Sequence, residues 1–438
     1  MVNTMIQVAL LGFGTVGAAV YKNLQQNQNV IAKKTGLRLN VKTVLSRSPE
    51  KIKAQLKPEC KITSSFEEIL NDPEVTIVVE VMGGTDFAKS CIYEALKKGK
   101  HVVTANKALI AVHAKELAEA VRTSKGSFFY EAAVAGGIPI IAALQNSFAG
   151  NKIQTIQSIV NGTCNYILTQ MADKQVDFPV ALKTAMEKGY AEADPSFDIE
   201  GIDAAHKLTI LACLSYGQLI EYRSLANVRG ISKVSIQDIQ VASSLGYKVK
   251  LIASASKIKS QALVLGGLEL FVSPCLVNQH HPLASVEGVY NAIYLKAHPV
   301  GQSMLYGRGA GGDPTSSAIL SDIIACTREC VLGNLKHNLF FEKKETDIPI
   351  LPHGAPARFY VRLWAEDKPG VLAKIAGILG NKGISIASVL QKNVEGGQTV
   401  PVFLTTHQAK ENDMMEACKE IHTQAQLKDE PFIMRILD

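Results

Sequence analysis

The stretch Ile6-Gln-Val-Ala-Leu-Leu-Gly12-Phe-Gly14-Thr-Val-Gly17 leaves few folds open to this chain. It begins as an apolar run of strand length, its glycines punctuate a turn, and Val16, Val20 and Leu24 then recur at helical spacing. A strand, a glycine turn and a helix in direct succession form the opening unit of a dinucleotide-binding sheet. Gly12 permits the turn, Gly14 lets backbone approach a pyrophosphate, and Gly17 lets the helix pack close to the strand with its N-terminus facing the phosphates. Phe13, Thr15 and Val16 complete the cradle. An ordinary glycine-rich turn is the competing reading, because three spaced glycines alone are weakly specific.

Strand and helix patterns keep alternating beyond this unit. Leu37 to Leu45 reads as a second strand ending in Ser46-Arg47-Ser48, where an acid would hold the 2′-hydroxyl of NAD and an arginine suits a 2′-phosphate. Arg47, with Lys51 a turn later, favours NADP; a solvated basic turn is the alternative. Val75 to Val81 reads as a doubly buried parallel strand, and Phe87 to Lys98 as a helix before a strand at His101 to Thr104. Alternation of this kind makes a doubly wound parallel sheet. In Thr104-Ala-Asn-Lys107, Asn106 is a good N-cap that puts Lys107 in a helix's first turn, against the macrodipole. A lysine there, at the carboxyl end of a parallel strand, sits where a ligand-contacting residue would; a surface lysine snorkelling outward is the lesser reading. Phe128 to Ala133 reads as a further strand, leading into a glycine-containing loop whose Glu131 and backbone carbonyls could take a hard monovalent cation or be purely structural.

From Ile138 the rhythm changes, which marks a domain boundary. Strand-like Ile153 to Val160 leads through Asn161 to a helix at Val180 to Lys188 and then to a polar cluster, Gly189-Tyr-Ala-Glu192-Ala-Asp194-Pro-Ser-Phe-Asp198-Ile-Glu-Gly-Ile-Asp203-Ala-Ala-His-Lys207. Asp203 and Lys207 share a helix face, either as a solvated ion pair or as carboxylates gathered on a substrate ammonium beside a proton-transferring lysine. His206 reads as a satisfied core histidine. Strand-like runs between Val241 and His298 complete a mixed or antiparallel sheet. Tyr306 to Pro314 is a second glycine-rich loop containing Gly309, with Asp313 as N-cap of a helix to about Leu332 that packs back on the first domain. Residues 338–358 read as a linker, and residues 359–438 spell βαββαβ, a ferredoxin-like unit.

With 438 residues, 47% of them hydrophobic and 20% charged, the chain has material for several cores. A formal charge of +6 without a basic run excludes nucleic acid as the expected partner. No apolar run reaches membrane length, and eight cysteines lack any C-x-x-C pair. The expectation is a cytoplasmic protein with free thiols.

Taken in order, Gly12 to Gly17, Thr104-Ala-Asn-Lys107-Ala-Leu-Ile, the Glu192 to Lys207 cluster and Gly307-Arg-Gly-Ala-Gly-Gly312-Asp-Pro-Thr resemble the homoserine dehydrogenase family. Asp367-Lys-Pro-Gly370-Val-Leu and Gly383-Ile-Ser-Ile resemble an ACT domain, a small amino-acid-sensing module. The resemblance spans nearly the whole chain. It implies a Rossmann-type NAD(P)-binding domain over residues 1–137, an α+β substrate and dimerisation domain over 138–313, and an ACT domain over 359–438. It implies NAD(P)-dependent interconversion of L-homoserine and L-aspartate 4-semialdehyde, with Lys207 as acid/base and Lys107 orienting substrate or relaying the proton. Glu192, Asp198 and Asp203 would bind substrate, while Gly189 and Gly309 would line the site with Thr104. Glu131, Val134, Gly136 and Ile138 would hold a monovalent cation, usually sodium, mainly through backbone oxygens. Threonine feedback and a homodimer or homotetramer are further expectations. The rivals are another amino-acid or semialdehyde dehydrogenase, and a non-catalytic amino-acid sensor.

Overall fold

The computed structural model describes residues 5–225, 227–259, 266–332, 347–352, 354–391, 399–425, 427 and 429–438. Six parallel strands form the first sheet: β1 (Met5–Leu11), β2 (Arg38–Leu45), β3 (Lys61–Thr63), β4 (Val75–Glu80), β5 (His101–Thr104) and β6 (Phe128–Phe129). Their order is β3-β2-β1-β4-β5-β6, so chain direction across the sheet reverses beside β1 and opens a crevice at the carboxyl ends of β1 and β4. The apolar runs form strands because helices cover both faces; Val8, Leu10, Val78 and Val79 are fully buried. The first helix runs from Thr15 to Thr35 and ends on Gly36 in the left-handed region, at φ 75°.

A second, mixed sheet comes next. It contains β7 (Lys152–Ile159), β8 (Asn227–Val228), β9 (Tyr247–Ile258), β10 (Gly267–Asn278), β11 (Tyr290–His298) and β12 (Gly301–Arg308). The chain then returns to the first sheet. Ala318, Ile319, Leu320, Ile323 and Cys326 of the Gly312–Leu332 helix share a core with Val8, Leu10, Val20 and Leu24, and Asn23 donates to Asp313 Oδ1 (3.0 Å) and Ser316 Oγ (2.6 Å).

The last unit is β13 (Arg358–Glu366), helix Val371–Asn381, β14 (Ile386–Gln391), β15 (Thr399–Thr406), helix Glu411–Gln424 and β16 (Phe432–Leu437). Its strands do not stand apart. β16 pairs in parallel with β10, Cys275 against Arg435 and Val277 against Leu437, so one ten-stranded sheet runs through both units.

Local details differ from the sequence reading in four places. β6 stops at Phe129, because Glu131–Ala133 turns into a 3-10 helix. Tyr306 to Arg308 belongs to β12 rather than to a loop, its strand character coming from pairing with β11. The next helix begins at Gly312, which puts Asp313 inside the first turn and not at the cap. Of the stretch read as a linker, residues 338–346 and 353 lie outside the described residues, and Ile350 bridges to Leu268 of β10. In the C-terminal unit, residues 392–398, between its second and third strands, also lie outside them. Cys60, Cys91, Cys164, Cys213, Cys275, Cys326 and Cys418 are free thiols. Among the described residues no helix is long and apolar enough to cross a membrane.

Candidate active site

The glycine turn is clamped between two strands. Gly12 N–H donates to Leu45 O of β2 (3.1 Å), and Val81 N–H donates to Leu11 O (3.0 Å). Gly12 has φ +102°, and a Cβ there would lie 2.9 Å from the Val81 carbonyl. A Cβ on Gly17 would come within 2.3 Å of Gly12 O, whereas one on Gly14 would meet nothing within 4 Å and would instead fill the space above the turn. That space, beside the amides that open the helix at Thr15 and Val16, fits a pyrophosphate and accounts for the glycine. Phe13 packs edge-on against Tyr21, with ring centroids 5.9 Å apart. Arg47 is exposed immediately beyond β2, on the side of β1 away from β4.

Across the crevice, charged side chains from the first two units converge. β7 delivers Val160 and Asn161, and Asn161 caps the Gly162–Lys174 helix by accepting the Cys164 N–H (2.8 Å). The same amide donates to Asp198 Oδ1 (2.7 Å) and Asp203 Oδ2 (2.9 Å). Asp203 and Lys207 lie one turn apart on the Ile202–Tyr216 helix, which is buried through most of its length. Lys207 Nζ donates to Asp203 Oδ2 and to the Val160 carbonyl, both at 2.7 Å. Lys107, from the Lys107–Val112 helix that Asn106 caps, brings its Nζ to 3.0 Å from Asp203 Oδ1. One carboxylate therefore bridges two lysines carried by different units.

The pair is not a solvated one: Asp203 is 3% exposed and Lys207 8%. Burial pushes the Lys207 ammonium below its ordinary value, aided by the like charge of Lys107, while Asp203 pulls it partly back. Burial would raise the Asp203 carboxyl, but the two lysines outweigh it and hold it well below the usual carboxylate range. For Lys107 burial works downward, and Asp203, Asp198 and Glu192 more than offset it. Burial raises Asp198, against the Asn161 hydrogen bond. The arrangement can hold one amine ready to release or accept a proton while the other stays charged.

Glu192 is exposed and reaches the cluster through the charge of Lys107. Gly189, at φ +72°, ends the helix below Tyr190 with no atom near its missing side chain. Thr104 is fully buried beneath the crevice and donates to Glu80. Gly309 is held tightly, since a Cβ would overlap the Asn291 amide at 1.9 Å, and its carbonyl would lie 2.6 Å from a Cβ on Gly136. Glu131 accepts the N–H groups of Ile141 (2.8 Å) and Ala142 (2.7 Å), one on each carboxylate oxygen. Val134, Gly136 and Ile138 continue that loop, with Gly136 at φ +49°. Among the described residues no cluster of His, Cys, Asp and Glu could hold a metal ion. His206 is buried between Phe197 and Tyr222, and among the described residues its Nδ1 has no hydrogen-bond partner, where the apolar helix implied a satisfied histidine.

Sequence reasoning missed Asn161, the Val160 carbonyl and Glu80. Asn161 carried a signal, a capping residue directly after a strand and before the next helix, which marks a carboxyl-end loop. Glu80 was hidden inside an apolar run.

A Rossmann-type parallel sheet that carries its glycine turn and a buried Lys–Asp–Lys cluster at one carboxyl edge is the architecture of an NAD(P)-dependent oxidoreductase. Residues 12–131 match the NAD-binding domain model of homoserine dehydrogenase, residues 139–324 the homoserine dehydrogenase model, and residues 359–422 the ACT domain model. The chain belongs to the homoserine dehydrogenase family. It is 39% identical to the homoserine dehydrogenase of Pseudomonas aeruginosa over 94% of each chain, and 39% identical to that of Synechocystis over 99% of each. The solved structure of a homoserine dehydrogenase from Thiobacillus denitrificans superposes with a TM-score of 0.91 at 37% identity, covering 99% of both chains. A hyperthermophilic archaeal homoserine dehydrogenase in complex with NADPH covers 74% of this chain and 98% of its own, with a TM-score of 0.62 and 29% identity.

Proposed function

We propose that this chain interconverts L-homoserine and L-aspartate 4-semialdehyde, with Lys207 as the acid/base and NADP as the preferred cofactor. The observation that carries the reading is the buried Lys207–Asp203–Lys107 bridge, whose Lys107 follows β5 at the same carboxyl edge of the sheet as the glycine turn after β1. When bound, the nicotinamide cofactor supplies the hydride acceptor in oxidation and the donor in reduction. In oxidation, neutral Lys207 takes the proton of the alcohol; in reduction, its ammonium protonates the nascent alkoxide. Asp203 and the Val160 carbonyl fix the direction in which that amine points. Lys107 stays protonated beside the reacting oxygen, and Glu192 and Asp198 select the substrate ammonium. Gly12 to Gly17 receive the pyrophosphate, Arg47 the 2′-phosphate, and Thr104, Gly189 and Gly309 line the crevice.

The division of labour we propose is residues 1–137 for cofactor, 138–313 for substrate and subunit pairing, and 359–438 for an amino-acid effector, threonine being the first to test. A sodium ion would rest mainly on backbone carbonyls of Glu131, Val134, Gly136 and Ile138, the Glu131 carboxylate already accepting one N–H group on each oxygen.

The test is turnover of aspartate semialdehyde with NADPH and NADH, with and without threonine, for the unaltered enzyme and Lys207→Met. Asp203 keeps Lys107 and Asn161 in the variant, so it should fold, and kcat should fall by about 10²–10⁴. A variant turning over at a near-normal rate would remove Lys207 from the chemistry. No turnover by the unaltered enzyme would revive the sensor reading.

A further inference from the structure

β4 is apolar except at Thr76 and at its last residue, Glu80, and that carboxyl group is fully buried. Oε1 accepts the Met82 N–H (2.8 Å) and Oε2 the Thr104 hydroxyl (2.6 Å). Thr104 Oγ1 in turn accepts the Asn106 N–H (3.0 Å), and the Asn106 side chain donates to Gly84 O (2.6 Å) while capping the helix that carries Lys107. Around this group the carboxyl-end loops of β4 and β5 are knotted together. Burial raises the carboxyl above its ordinary value, the donors converging on both oxygens offset this only in part, and a cation brought beside it would favour the ionised form.

Tying loops does not require a charge. A buried carboxylate is costly unless a cation offsets it, and among the described residues no lysine, arginine or histidine pairs with Glu80. Lys107, on the same edge, has its own anion in Asp203. Glu80 faces Thr104 in register at the carboxyl ends of β4 and β5, on the opposite side of β1 from β2 and Arg47. In a sheet of this order a dinucleotide straddles β1, its adenosine half over β2 and its nicotinamide half over β4 and β5. A cationic ring in that position supplies the charge that Glu80 otherwise lacks.

We propose that Glu80 selects the oxidised cofactor electrostatically: its buried negative charge stabilises the cationic nicotinamide ring of NADP+ and contributes little to the neutral ring of NADPH. The inference rests on the reading that the glycine turn and the β4–β5 edge hold the cofactor. Its consequence is a bound equilibrium drawn toward NADP+, and hence toward the alcohol product.

Glu80→Gln keeps the shape and removes the charge. Equilibrium titration, NADPH by its fluorescence and NADP+ by competition, should show NADP+ binding weakened about tenfold with NADPH nearly unchanged. Equal weakening of both would make Glu80 a structural tie only, and no change in either would also overturn the proposal. A measurement on the unaltered enzyme stands if the Gln variant does not fold: a dinucleotide phosphate with an uncharged benzamide in place of nicotinamide should bind about tenfold more weakly than NADP+, and equal binding overturns the proposal. Failure of the unaltered enzyme to bind NADPH at all is a different result, which removes the cofactor reading and this inference with it.

Discussion

In the proposed mechanism the proton-transfer role of Lys207 depends on where its amine is buried. Burial disfavours the ammonium, so homoserine oxidation, which needs the neutral amine, should gain rate with rising pH through a midpoint below the ordinary lysine value of 10.5. Semialdehyde reduction needs the ammonium and should lose rate over the same range. Asp203 is the anion that pulls this amine upward, so Asp203→Asn should move both limbs to lower pH. Rate profiles of the unaltered enzyme and this variant in both directions check this, and an unmoved midpoint would detach Asp203 from the titration. The spacing of Asp203 and Lys207 on one helix face is a local fact and was legible in the sequence. That Lys107 completes the bridge was not, because its helix belongs to a different unit and only packing brings the two helices together.

At the scale of elements, the strand, turn and helix that open the chain carry glycines with separate physical duties. Gly14→Ala places a methyl group in open space with φ already at −78°, so stability should fall only by the roughly 1 kcal/mol that alanine costs at a helix N-cap, while the KM for NADPH rises. Gly17→Ala drives a methyl group into backbone, 2.3 Å from Gly12 O, and should cost about 1–3 kcal/mol as well as cofactor affinity. Thermal melts beside NADPH titrations separate the two. Asn106 and Asn161 show how capping serves chemistry. Each starts a helix at the crevice, and each uses its remaining amide hydrogens on the site or its supporting loop.

Across the whole molecule, the fusion of the C-terminal unit to the substrate sheet matters most. Arg435 of β16 is buried between Glu269 of β10 (2.7 Å) and Glu411 at the start of the 411–424 helix (2.5 Å), its guanidinium 4.4 Å from the Phe271 ring centroid. Glu411 also takes Arg229 (3.0 Å); two residues further on, Ile231 N–H donates to Ile199 O (2.7 Å), in the turn between Asp198 and Asp203. Arg435→Ala would leave two buried carboxylates with one cation and should destabilise the protein by about 3–5 kcal/mol, measured by denaturant unfolding. Removing residues 359–438 to test effector sensitivity would strip a paired strand from β10 and expose a new sheet edge. Point changes in the C-terminal unit are therefore the cleaner probe of threonine.

The amino-acid order alone determined what depends on neighbours along the chain. The alternation of strands and helices, the glycine turn, the Asn106 cap and the βαββαβ pattern at the end are set by period, dihedral preference and turn chemistry. Tertiary structure decided whatever depends on partners far apart in sequence. It put the Asp203–Lys207 pair out of water, brought Lys107 and Asn161 onto it, made a strand of Tyr306 to Arg308, and joined two sheets through β10 and β16. Burial, charge pairing and strand edges have no period to read, because each is fixed only when distant segments have already packed.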